Sequence, residues 1–131
     1  MTLEEFVKQR DVKVRDTEHL KVIKYFYPYL RSVSGDESLL PAKLEKILGV
    51  SLSGVSVVTA CFNGVNDNSQ PPYDNVDLYI KLSNNIKVYI YGRNQKPIVE
   101  LKENEYVICL VAGEVTPTIR QNVNRYFLLN K

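Results

Sequence analysis

The chain is poor in the residues on which most metal sites and nucleophilic enzymes depend. Its 131 residues include one histidine, two cysteines, one methionine and no tryptophan. A zinc site or a nucleophilic triad would have to use His19, which lies near the start of a predicted helix with nothing in the pattern to single it out. Cys61 and Cys109 each lie in an apolar run, which is typical of buried thiols. We therefore expect no metal, no cofactor and no enzymatic activity.

Long hydrophobic runs are also missing. No apolar stretch approaches the roughly 20 residues that a membrane-spanning helix needs. The first ten residues, MTLEEFVKQR, are acidic where a signal peptide is basic, and no apolar segment follows them. The hydrophobic fraction of 44% is enough for a core at this length. These features predict a soluble cytoplasmic protein without a membrane partner.

The net charge of the chain is small, but one segment has basic residues and no acidic ones. The net charge is only +2, yet Lys81, Lys87, Arg93 and Lys96 lie between residues 78 and 99 without an acidic residue among them. A surface formed from this segment would carry a basic stripe, which is typical of contacts with nucleic acid.

The first fifty residues have helical signals. Thr2 and Glu5 fit a capping box at the start of a first helix. Asp16 or Thr17 can cap a second helix, which has an apolar stripe at helical spacing. That stripe consists of Leu20, Ile23, Tyr27 and Leu30, and it either packs on the rest of the chain or forms a homodimer.

The pattern changes from helix to strand near Gly49. A third helix is predicted from about residue 39 to 48, and Gly49 ends it. The β-branched run Val55–Phe62 favours a strand, as do the apolar runs Tyr106–Ala112 and Val123–Leu129. We expect a helical segment over 1–50 and a β domain over 51–131.

A β-hairpin is the clearest element of the sequence. Val76, Leu78, Ile80 and Leu82 alternate with Asp77, Tyr79, Lys81 and Ser83, and beyond a turn at Asn84 and Asn85 the residues Ile86, Val88 and Ile90 alternate with Lys87, Tyr89 and Tyr91. Such alternation sends aliphatic side chains to one face and tyrosines and lysines to the other.

The order of these strands resembles the OB-fold, in particular the single-stranded DNA-binding domains of the replication protein A type. Tyr91-Gly92 fits the aromatic and small residues that end the third strand, and the segment from Lys102 to Val107 fits the connector into the fourth. The resemblance covers about residues 53–130. It implies an α+β protein in which the N-terminal helices pack on a five-stranded antiparallel OB-like β-barrel.

The resemblance also implies a binding face on the hairpin. The loops 64–75 and 113–122 would flank that face. Tyrosine rings would stack on unpaired bases, and cations would contact phosphates. The expected nucleic-acid-binding residues are Tyr73, Tyr79, Lys81, Lys87, Tyr89, Tyr91, Arg93 and Arg120. We expect non-catalytic binding of single-stranded DNA or RNA with low sequence preference.

Two alternatives stay open on the sequence alone. Residues 51–62 could be the recognition helix of a winged-helix regulator that binds duplex DNA, with residues 76–92 as its wing. The same barrel could also serve as a protein–protein adaptor, because a fold does not fix a function.

Overall fold

The structure, a computed structural model, describes residues 2–9, 12–14, 16–30, 39–62, 76–93, 101–111 and 126–129; at 61, 93, 111 and 128 it describes the backbone. Within this part, three helices precede five strands. The helices are α1 (Leu3–Gln9), α2 (Thr17–Leu30) and α3 (Leu39–Leu48). The strands are β1 (Val57–Phe62), β2 (Leu78–Leu82), β3 (Lys87–Arg93), β4 (Glu105–Val111) and β5 (Tyr126–Leu128).

The helices begin where the capping signals predict. The Thr2 hydroxyl accepts a hydrogen bond from the Glu5 amide at 3.1 Å, and the Glu5 carboxylate accepts one from the Thr2 amide at 3.2 Å. Asp16 caps α2, because its carboxylate accepts the His19 amide at 2.9 Å. These side chains satisfy amides that have no partner within the helix.

The strands form one mixed sheet in the order β1-β2-β3-β4-β5. The first three strands pair antiparallel, whereas β3 pairs with β4, and β4 with β5, in parallel. Among the described strands the sheet is open, with β1 and β5 at its edges. The predicted α+β class is confirmed, but the predicted antiparallel barrel is not, because two of the four strand pairs are parallel.

The predicted hairpin is confirmed, and its register follows from a three-residue connection at 83–85. Tyr79 pairs with Tyr89, and Lys81 pairs with Lys87. Asn85, the last residue of the short connection, has φ 72°. A left-handed residue in that place is typical of three-residue hairpin loops, and asparagine tolerates it.

The helices cover the aliphatic face of the sheet. α2 packs chiefly on β3, and its side chains Val22, Ile23, Phe26 and Leu30 are fully buried. On the sheet, Leu78, Ile80, Leu82, Val88, Ile90 and Ile108 belong to the same core. Of the predicted stripe, Ile23 and Leu30 are buried in this core and Tyr27 packs against it, whereas Leu20 is half-buried. Homodimer formation and a domain boundary near residue 50 stay predictions.

The winged-helix alternative is wrong for this chain. Val57–Phe62 is a strand paired with β2, and residues 51–56 are not helical. The β-branched side chains of this segment favour extended backbone over helix. No helix among the described residues is long and apolar enough to cross a membrane.

Candidate nucleic-acid interface

The tyrosines lie on the face opposite the helices, as alternation predicts, but they are not exposed. Tyr79, Tyr89 and Tyr91 have exposed fractions of only 9%, 1% and 5%. The prediction that they form an open stacking platform is therefore wrong for the described structure. Bases cannot reach these rings unless the surrounding side chains move.

These side chains form a second hydrophobic cluster, which we call the tyrosine cluster. It contains Val76, Tyr79, Tyr89, Tyr91, Val107, Cys109 and Tyr126, with Leu101 packed against it. Tyr79 and Tyr89 stack across the hairpin, with ring centroids 5.5 Å apart and an interplanar angle of 25°. Parallel strands usually have both faces covered, which is consistent with the burial of Tyr89 and Tyr91 on β3, the strand that pairs in parallel with β4.

The sequence carried one signal of this second covered face. The run from Tyr106 to Ala112 is apolar at almost every position rather than at alternate positions. Continuous apolar runs are typical of strands that are buried on both faces.

Glu105 is a buried carboxylate that the sequence analysis did not single out. It is 5% exposed and lies at the start of β4. The Tyr89 hydroxyl donates to one carboxylate oxygen at 2.6 Å, and the Lys102 amide donates to the other at 2.7 Å. Both oxygens thus have a donor, which offsets part of the cost of burying the carboxylate.

Asp77 has a similar role near the opposite end of the cluster. It is 3% exposed, and its carboxylate accepts the Gly92 amide at 2.7 Å. Burial, with a smaller contribution from Asp77, raises the pKa of the Cys109 thiol to about 12. Burial also raises the pKa of Tyr126 to about 12, helped by Cys109. These tyrosine and cysteine groups are therefore protonated near neutral pH.

Lys81 and Lys87 lie on the same face, beyond the tyrosine cluster, and are half-buried. They are directly opposite each other on β2 and β3. Neither side chain forms an ion pair or hydrogen bond with another residue in the part of the chain that the structure describes. Glu105 is the strand neighbour of Lys87 on β4, and its two oxygens accept from the Tyr89 hydroxyl and the Lys102 amide. The two ammonium groups thus remain available at this end of the sheet, which we call the lysine end.

Two turns meet at the lysine end and enclose a cleft of about 200 Å³. One is the hairpin turn with Asn85, and the other leads into β4 with Asn104, whose φ is 68°. The Lys87 amide donates to the Asn104 carbonyl at 2.9 Å and joins the two turns. The cleft is lined by Asn85, Lys87, Lys102, Glu103, Asn104 and Glu105.

The structure brings together only part of the predicted set. Tyr79, Lys81, Lys87, Tyr89 and Tyr91 share one face of β2 and β3. The backbone of Arg93 continues β3 opposite Val111, and its side chain is outside the described part. Tyr73 and Arg120, with the flanking loops to which they belong, also lie outside the described residues.

Within the described ranges, no group of three or more histidine, cysteine, aspartate or glutamate residues could hold a metal ion. A scan against protein-family models found no match, and searches of curated proteins and of solved structures found none either.

Proposed function

We propose that this protein binds single-stranded nucleic acid without catalysis and with low sequence preference, through phosphate contacts at the lysine end. The observation that carries the proposal is the pair formed by Lys81 and Lys87. They lie directly opposite each other, and neither has an anionic partner among the described residues.

Electrostatics explains why this pair favours an anion. Directly opposite residues on paired strands have Cβ atoms about 5 Å apart, and like charges at that spacing destabilise the sheet. A phosphate between Lys81 and Lys87 would replace this repulsion with two attractions. Phosphates carry no base identity, so the contact is independent of sequence.

The choice of single strands comes from the resemblance given in the sequence analysis. The lysine pair itself could contact a phosphate of a single strand or of a duplex. Two lysines also offer few contacts, so we expect weak binding that depends on salt.

In this proposal the tyrosine cluster supports the fold and does not stack on bases. Tyr79 and Tyr89 stack on each other, and the Tyr89 hydroxyl donates to the buried carboxylate of Glu105. Base stacking by the tyrosines is left out of the proposal. Contacts by Arg93, Tyr73 and Arg120 stay predictions, since their side chains lie outside the described part.

The test uses fluorescently labelled oligonucleotides, single- and double-stranded, at low salt. The double variant Lys81→Gln/Lys87→Gln should weaken binding about a hundredfold, because it removes two charged phosphate contacts of about 1.5 kcal/mol each. The matched control is Lys24→Gln/Lys46→Gln, which changes the charge equally but at exposed positions on α2 and α3.

Three results would contradict the proposal. The first is a wild-type protein that binds neither oligonucleotide, and the second is an equal loss of affinity in both double variants. A clear preference for duplex would contradict the choice of single strands.

A further inference from the structure

Three side chains that line the cleft at the lysine end can donate hydrogen bonds, and its two asparagines can also accept them. The side-chain amides of Asn85 and Asn104 and the ammonium group of Lys87 have no hydrogen-bond partner among the described residues. All three residues line the cleft, with Lys102 beside them. Donors that converge on one small space favour a ligand with several acceptor oxygens.

The acidic residues of the cleft do not use up these donors. Both oxygens of Glu105 already accept hydrogen bonds from Tyr89 and from the Lys102 amide. Glu103 is exposed, so water and salt screen its charge. The cleft therefore presents Lys87 and two amides to a ligand, while its buried carboxylate remains paired within the protein.

We propose that this cleft binds a phosphomonoester group, supplied by a mononucleotide or by the phosphorylated end of a nucleic-acid strand. A phosphomonoester carries a charge of about −1.5 to −2 at pH 7 and has three strong acceptor oxygens, whereas each phosphate inside a strand carries one charge. The cleft is small and is formed by two short turns, so a phosphate at the end of a strand fits it better than a phosphate inside a strand does. The strand-end form of this inference rests on the proposed function, and the mononucleotide form does not.

The backbone conformation allows two substitutions that remove the side-chain amides without straining the turns. Asn85 and Asn104 have φ values of 72° and 68°, a region that glycine enters freely. The substitutions Asn85→Gly and Asn104→Gly therefore remove the amide donors without straining either turn. An alanine at these positions would remove the same donors and add strain.

The first arm of the experiment titrates the wild-type protein with inorganic phosphate and with a nucleoside monophosphate, following backbone amide shifts by NMR. Chloride at matched ionic strength is the reference. Shifts centred on Asn85, Lys87 and residues 102–105 would support the proposal. If phosphate gives no shifts beyond those of chloride, and the monophosphate gives none either, the cleft is not a phosphomonoester site.

The second arm compares one single-stranded oligonucleotide with a phosphate or a hydroxyl at its terminus. We expect roughly tenfold tighter binding of the phosphorylated form, the effect of one charged hydrogen bond. In the variant Asn85→Gly/Asn104→Gly this preference should disappear, while affinity for the hydroxyl form stays unchanged. Thermal unfolding of the variant checks that it folds, and the wild-type comparison does not depend on it.

The failures of the two proposals are distinguishable. If both oligonucleotide forms bind equally and phosphate gives no shifts in the cleft, the inference is wrong while the proposed function stands. If no oligonucleotide binds but the monophosphate shifts the cleft residues, the proposed function is wrong and a mononucleotide is the ligand of the cleft.

Discussion

At the scale of single residues, the hydrogen bonds of Glu105 bear on whether Lys87 has an anionic partner. The two are neighbours on parallel strands, where an ion pair would be expected. Instead, Tyr89 and the Lys102 amide occupy both carboxylate oxygens. Each oxygen can accept a further hydrogen bond, but Lys87 forms no ion pair with Glu105 in the described structure.

Tyr89→Phe tests the hydrogen bond to Glu105. The change removes one donor from a buried carboxylate and preserves the ring, so we expect a loss of about 1–3 kcal/mol in the free energy of unfolding. Urea denaturation measures it.

Tyr106→Phe is the matched control for that variant. Tyr106 is half-buried on the helix face, and its hydroxyl has no hydrogen bond with another described residue. Its loss should cost less than about 0.5 kcal/mol. Equal losses in the two variants would show that the Tyr89–Glu105 hydrogen bond contributes nothing specific.

Cys109 gives a prediction about alkaline pH. Burial raises the pKa of its thiol from an ordinary value of 9.0 to about 12, so the folded state holds this proton more tightly than the unfolded chain does. The resulting stability is complete below about pH 9 and is lost as the pH rises toward 12, with a slope of up to about 1.4 kcal/mol per pH unit.

The measurement is the free energy of unfolding of the wild-type protein and of Cys109→Ala at several pH values between 8 and 10. This range keeps the contribution of Tyr126 small, because its ordinary pKa is 10.0. The variant should show a shallower decline. The same decline in both proteins would show that the Cys109 thiol is not shifted.

At the scale of helices and strands, local signals predicted local structure. The capping box at Thr2 and Glu5 and the cap at Asp16 correctly marked where α1 and α2 begin. Period-two alternation correctly predicted the hairpin, while its register is given by the structure. Each of these features depends on residues close together in sequence, so the sequence is enough to identify them.

The direction and surroundings of β4 depend instead on distant residues. Whether β4 runs parallel or antiparallel to β3 is set by contacts across the sheet, which a pattern within one strand does not encode. Assuming a closed barrel led to the prediction that Tyr79, Tyr89 and Tyr91 face water. In the open mixed sheet, both faces of β3 are covered, and the tyrosines are buried.

Gly92 tests how α2 and β3 fit together. A Cβ atom at this position would lie within 3 Å of the Glu18 backbone, including its carbonyl oxygen. Gly92→Ala should therefore push the start of α2 away from the sheet and cost about 1–3 kcal/mol, the usual range for overpacking.

Gly54→Asn is the control for this contact. Gly54 has φ 75° and open space around it, and asparagine accepts that conformation. Thermal unfolding should show a large decrease in midpoint for Gly92→Ala and little change for Gly54→Asn. A neutral Gly92→Ala would show that α2 does not approach β3 this closely in solution.

At the scale of the whole molecule, the two faces of the sheet have different roles. One face packs on the helices and forms the main core. The other combines the tyrosine cluster with two lysines that have no ion-pair partner among the described residues. The proposed binding site therefore lies at the edge of a buried layer rather than across an aromatic surface.

The most direct measurement of this central claim is the salt dependence of binding to a single-stranded oligonucleotide. Two phosphate contacts predict a slope of log affinity against log salt of about −1.4, that is −0.7 for each contact. In Lys81→Gln/Lys87→Gln the slope should fall close to zero, whereas Lys24→Gln/Lys46→Gln should keep the wild-type slope. A Lys81→Gln/Lys87→Gln protein that binds with the full wild-type slope would contradict the account.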